Sequence, residues 1–129
     1  MAGHIDTGLR GEALVADYLA ARGWRIIEMR WRDHAPGGVR TDVDIIAVSP
    51  DGVYHFVEVK TRTRTNKPGT DLSPEAALTP AKARRMAGAA ERYMALKDLS
   101  GEITVDLAAV ILDDCGDRHE IRYYPDAVR

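Results

Sequence analysis

The sequence predicts an α+β domain: a mixed central β-sheet flanked by helices, in the order αβββαββ. Three observations carry this expectation. Residues 41–60 have the composition and alternation of a β-hairpin. Two stretches of helical periodicity, 7–21 and 80–97, lie on either side of it. A strongly apolar run, Ile103 to Leu112, follows the second of these, and the long connection before it permits a parallel crossover. A chain of 129 residues fits one domain spanning 1–129, with enough length to bury a core.

In chain order, Thr7 to Ala21 reads as a helix with Leu9, Ala13, Ala16 and Ala20 recurring at helical spacing and Leu19 widening the stripe. Glu12 falls on the edge of that stripe, and Gly23 is placed to stop the helix. Trp24 to Trp31 reads as a strand of imperfect alternation, and 33–40, with Pro36, Gly37 and Gly38, as a loop. The hairpin follows: Thr41 to Val48, the turn Ser49-Pro50-Asp51-Gly52, then Val53 to Lys60. Pro50 suits the fixed φ of such a turn and Gly52 a positive one. Beyond Lys60 the chain is polar, basic and rich in breakers. Ser73-Pro74-Glu75 can start a short helical turn. Thr79-Pro80 is a stronger start, with a capping hydroxyl and a proline at the first helical position. That helix should run to about Lys97, burying Ala83, Met86, Ala87, Ala90 and Met94, with Lys82, Arg85 and Arg92 beside the stripe. Asp106 interrupts the buried strand and is expected to bond backbone or a basic side chain. His119 to Tyr124 alternates as the last strand.

The net charge of −2 favours no partner, but its distribution is uneven. Between Lys60 and Arg92 eight basic residues face three acids, a local balance of +5. The single cysteine, Cys115, excludes an internal disulfide. The N-terminal residues lack the apolar core of a signal peptide, and the longest apolar run, Leu107 to Leu112, is too short to span a bilayer. A cytoplasmic protein, off the membrane, is expected. The histidines His4, His34, His55 and His119 show no metal-ligand spacing.

The chemistry lies in the hairpin. Alternation puts Asp42, Asp44, Ile46 and Val48 on one face of the first strand, and Tyr54, Phe56, Glu58 and Lys60 on one face of the second. Acids inside apolar runs need compensation. Two carboxylates from neighbouring strands suit Mg²⁺ (or Mn²⁺), which prefers oxygen ligands. Such a cation acidifies a bound water, and a lysine two residues beyond Glu58 projects to the same face, where it can balance charge on a phosphate. This is the chemistry of phosphodiester hydrolysis, with Asp44, Glu58 and Lys60 as the catalytic set. The competing reading makes Asp44 and Glu58 strand-end carboxylates partnered by arginines. Arg62, Arg64 and Lys67, just beyond Lys60, are expected to contact phosphates of a nucleic acid. Lys82 and Arg85 are placed in the same binding surface. Glu12 is expected to reach the cation directly or through a water, its alternative being a salt bridge to Arg62 or Lys60.

Several segments resemble one family. Gly8-Leu9-Arg10-Gly11-Glu12 is similar to the G-x-x-G-E opening of the YraN-like family of bacterial proteins. Asp42-Val43-Asp44-Ile45-Ile46-Ala47 is similar to its E-I-D-L-I-A segment, and Phe56-Val57-Glu58-Val59-Lys60-Thr61-Arg62 to its F-V-E-V-K-x-R segment. Lys82 with Ala90 to Tyr93 resembles its K…A…Y helix, and Val105-Asp106 its late F-D-V strand. The chain departs from the pattern at Thr41-Asp42, where the family usually reads Gly-Glu. The family is similar to restriction-endonuclease-like nucleases of the PD-(D/E)xK superfamily, and more closely to archaeal Holliday-junction resolvases. The resemblance implies a restriction-endonuclease-like fold, Asp44, Glu58 and Lys60 as the catalytic residues, and Glu12 as an added acidic ligand. It also implies a DNA substrate, branched or damaged, and by analogy a homodimer. Two other classes compete with a nuclease: a nucleic-acid-binding protein that does not cut, and a protein-interaction scaffold.

Overall fold

The computed structural model describes residues 3–34, 38, 40–64, 78–113 and 118–127. Among these residues two helices and five strands follow one another as α1 (Gly3–Ala21), β1 (Arg25–Arg32), β2 (Asp42–Val48), β3 (Tyr54–Thr63), α2 (Pro80–Leu96), β4 (Ile103–Leu112) and β5 (His119–Tyr124). The strands form one sheet in the order β1-β2-β3-β4-β5. β1, β2 and β3 are an antiparallel meander, β3 and β4 pair in parallel after the α2 connection, and β5 returns antiparallel to β4. The mixed sheet and the order αβββαββ are those the sequence predicts.

Among the described residues each face of the sheet carries one helix. Val43, Ile46, Phe56, Val105 and Leu107 pack with Leu78 and the buried side of α2. Ile45, Ala47, Val57, Ala108, Val110 and Leu112 pack with Val15 and Leu19 of α1. Burying each of the larger side chains is worth about 1.5–3 kcal/mol, so both layers contribute to holding the sheet. The cap of α2 forms as expected: the Thr79 hydroxyl accepts the Lys82 N–H at 3.2 Å and Pro80 opens the helix. Ala83, Met86, Ala90 and Met94 are buried as predicted, Ala87 is only half-buried, and Ala89 and Tyr93 join the buried side. The Tyr93 ring lies edge-on to Trp31 and Phe56. At the hairpin turn Gly52 has φ +87°, the left-handed conformation expected there.

The face of α1 is only in part the predicted one, with Leu19 and Ala16 packed on the sheet as expected. Leu9 is 38% exposed, and Ala13 and Ala20 are also exposed, whereas Gly11, Val15 and Leu19 are buried. Alanines bury little area, so the larger Val15 and Leu19 decide the rotation of the helix. Gly11 continues their line and lets the helix touch β3: a Cβ on Gly11 would stand 1.8 Å from Thr61 Oγ1. A side chain at residue 11 would therefore lift this end of the helix from the sheet.

The imperfect alternation of β1 has a cause. Its register with β2 shifts between Ile26 and Glu28, a bulge that turns Glu28 to the same α2 side as Ile27, where its carboxylate accepts the Tyr93 hydroxyl. Arg30 then adopts φ +52° within the strand. This conformation is rare for a residue with a side chain and costs of order 1–3 kcal/mol. The chain leaving β1 is anchored to α2 by Asp33, a buried carboxylate that accepts Arg92 Nε at 3.0 Å and Arg92 Nη2 at 2.5 Å.

Candidate active site

The site is built where β2 and β3 part. Their pairing runs from Val48 opposite Tyr54 to Ile45 opposite Val57. At the next step the Asp44 side chain, not the backbone, meets β3: its Oδ2 accepts the Val59 N–H at 2.8 Å. β3 meanwhile stays paired with β4, with Glu58 opposite Leu107 and Lys60 opposite Ala109. Glu58 and Lys60 are thus fixed on a fully laddered strand, while Asp44 reaches across the gap beside them.

A cavity of about 660 Å³ opens at this end of the sheet. Thr7, Gly8 and Glu12 of α1 and Asp42 and Asp44 of β2 line it, with residues 58–62 of β3 and Lys82 and Arg85 at the start of α2. Arg40 and Thr41 complete the wall. Seven of the residues singled out in the sequence therefore converge: Asp44, Glu58, Lys60, Glu12, Arg62, Lys82 and Arg85. Two do not. The Arg64 guanidinium bonds Glu120 of β5 at 3.1 Å, outside the cavity lining, and Lys67 lies outside the described residues.

The acids repel one another. Asp44 is pushed up to about 7 by burial first and by the Glu58 charge second; the Val59 N–H pulls the other way, and Glu12 adds further repulsion. Glu12 is also raised, by burial and by Glu58, against the pull of Arg30. Its salt-bridge partner is Arg30 at 3.5 Å, not Arg62 or Lys60. That contact is an ion pair without hydrogen-bond geometry, and the buried Oε1 of Glu12 has no hydrogen-bond donor. Glu58 is compensated by amines, with Lys82 Nζ at 2.9 Å and Lys60 Nζ at 3.8 Å from its Oε2.

Among the described residues no group of three His, Cys, Asp and Glu side chains stands at metal-binding spacing. The donor set nevertheless suits a hard divalent cation. It offers carboxylate oxygens on three elements, a buried oxygen lacking a donor, and an acid raised by burial and by its neighbours' charge. Because Asp44 is raised above its unfolded value of about 3.9, the folded chain holds the extra proton between about pH 4 and 7. Without a cation this group makes the fold less stable as pH rises through that window.

Sequence reading missed two parts of the site. Arg30 carried no signal, since a left-handed φ at an arginine inside a strand has no compositional mark. Lys82 was assigned to nucleic-acid contact and not to Glu58. The signal was present: a lysine in the first turn of a capped helix opposes the helix field, which favours anions there, and so calls for a nearby acid.

The profile of Uncharacterised protein family UPF0102 matches residues 11–111, a span that holds the G-E of α1, the hairpin acids and the whole of α2. The chain belongs to the UPF0102 family. Relatives agree over nearly the whole length. A UPF0102 protein of Chlorobaculum parvum is 38% identical over 118 residues, covering 91% of this chain and 83% of its own. One of Pelobacter propionicus is 36% identical over 95% of this chain and 81% of its own. One of Trichlorobacter lovleyi is 36% identical over 97% and 91%. Among the described residues of this UPF0102 protein no helix is long and apolar enough to cross a membrane.

Proposed function

We propose that this protein is a metal-dependent nuclease that hydrolyses phosphodiester bonds of DNA. The observation that carries the reading is the convergence, in one cavity, of Asp44 and Glu58 from parting strands, Glu12 from α1 and Lys60 two residues beyond Glu58. The resemblance of the hairpin motifs to the YraN-like family, which is itself similar to restriction-endonuclease-like nucleases, supports it. Asp44 and Glu58 would hold the cation, with Glu12 joining them through a water. When bound, it would acidify a water and offset charge on the phosphate.

The chain's own residues supply the rest. Glu58, its side chain 5% exposed and fixed in the β3–β4 ladder, keeps its carboxylate in place. The Lys60 ammonium, 40% exposed, lines the cavity and can accept the charge that builds on a phosphate oxygen under attack. Arg62 and Arg85 line the same wall from β3 and α2, where they can hold phosphates flanking the scissile one.

The test is incubation of pure protein with labelled duplex, flap, single-stranded and four-way DNA, in Mg²⁺, Mn²⁺ or chelator. Cutting is expected only with the cation, and Lys60→Ala should lower it on the order of a hundredfold. Cutting that survives both chelation and Lys60→Ala would refute the mechanism. Binding with a steep salt dependence but no cutting would favour a non-cleaving nucleic-acid-binding protein instead.

A further inference from the structure

The amine nearest Glu58 is not the lysine of the E-x-K motif. Lys82 Nζ stands 2.9 Å from Glu58 Oε2, while Lys60 Nζ is 3.8 Å from the same oxygen. Lys82 comes from the other side of the cavity, at the third residue of α2, where its own N–H is fixed by the Thr79 cap. The first turn of α2 has no acid, so the helix offers this ammonium no local partner. Its side chain is one-third exposed and therefore free to move, whereas the Glu58 side chain is almost wholly buried.

This geometry places a removable positive charge on the carboxylate where a divalent cation would carry its own. We infer that Lys82 is an exchanging counter-ion. It holds Glu58 while the cation is absent and passes to a phosphate oxygen of the bound strand when the cation takes Glu58. The assignment rests on the nuclease reading and deepens it. The ammonium keeps its three protons throughout, and only hydrogen bonds and ion pairs change hands. The two lysines then have separate duties. Lys60 rides on a laddered strand and stays by the reacting phosphate; Lys82 rides on the helix start and couples strand binding to cation binding.

Such a residue has an unusual signature, because its loss moves two affinities in opposite directions. In Lys82→Gln the charge competing with the cation is gone, so Mn²⁺ should bind the free protein about tenfold more tightly by titration calorimetry. The strand loses a phosphate partner, so KM for DNA should rise about tenfold while kcat stays within about threefold. Lys82→Arg keeps the charge and should restore the wild-type Mn²⁺ affinity. Arg85→Gln removes a neighbouring cavity charge that has no recorded bond to Glu58, so it should raise KM without the tenfold tightening of Mn²⁺. A thermal melt of each variant confirms folding, which a substitution at this part-exposed position should not impair. An unchanged or weaker Mn²⁺ affinity in Lys82→Gln, with a wild-type protein that binds Mn²⁺ and cuts, overturns this assignment alone. A wild-type protein that binds no Mn²⁺ overturns both it and the nuclease reading.

Discussion

Glu58→Gln is expected to lower DNA cutting by on the order of a thousandfold while the cation-free protein melts at the same temperature or a few degrees higher. The two effects share one cause. Glu58 is the only site acid in the fully laddered strand, and its charge adds to burial in raising both Asp44 and Glu12. Glutamine has the same shape and no charge, so the repulsion is relieved and the cation loses a ligand. Lys82 loses its partner, at small cost for a side chain one-third exposed. Function and stability thus pull against each other at this residue. Retained cutting, or a clear fall in melting temperature, would contradict the account.

Asp106→Ala is expected to cost about 3–5 kcal/mol of stability, a large share of the roughly 5–15 kcal/mol typical of a domain. Melting should fall by roughly 10–20 °C. Asp106 is fully buried in β4 opposite Val57. It bonds His55 Nδ1 at 2.7 Å, and it accepts the Tyr123 hydroxyl at 2.5 Å and the Asp126 N–H at 2.8 Å. Alanine would remove the acceptor shared by the Tyr123 hydroxyl and the Asp126 N–H and leave His55 Nδ1 with Thr104 Oγ1 alone, at 2.9 Å, which is the expensive way to break such a network. Burial and the Asp106 charge already hold the Tyr123 phenol well above its usual range. Ser49 Oγ stands 2.9 Å from His55 Nε2 and completes a Ser–His–Asp line. Ser49 is itself buried and gives its hydroxyl proton to Asp51, and Trp24 packs on the imidazole at 4.0 Å between ring centroids. The line therefore serves the fold. Because Asp106 does not line the cavity, Mn²⁺ affinity measured well below the lowered melting temperature should be unchanged. A melt within about 3 °C of wild type would show that the network is dispensable.

Much of this was legible in the sequence wherever the signal is local. The hairpin declared itself through β-branched runs around Pro50 and Gly52, and α2 through Thr79-Pro80. Alternation alone placed Glu58 and Lys60 on one face, and the cavity holds both. Asp106 was read as bonded to backbone or a basic side chain. The backbone N–H of Asp126 and the ring of His55 fit that reading, while the Tyr123 hydroxyl lies outside it. What escaped depends on contacts between distant segments. The close approach of α1 to β3 turns on the missing side chain at Gly11, where a Cβ would stand 1.8 Å from the hydroxyl of Thr61, 50 residues away in sequence. The Lys82–Glu58 pair exists only because the crossover returns α2 over the end of β3. Arg30 reaches Glu12 from a strained backbone that no residue pattern announces.

The measurement that bears most directly on the central claim is calorimetric titration of Mn²⁺ into the pure protein at pH 6 and pH 8, with Asp44→Asn alongside. If Asp44, Glu58 and Glu12 form one cation site, one ion should bind per chain and bind more tightly at pH 8. Asp44, raised to about 7, must lose its proton to take the cation. Binding near neutral pH should therefore release protons into the buffer, and Asp44→Asn should weaken binding and abolish that release. No binding, or an affinity indifferent to both pH and Asp44→Asn, would contradict the account.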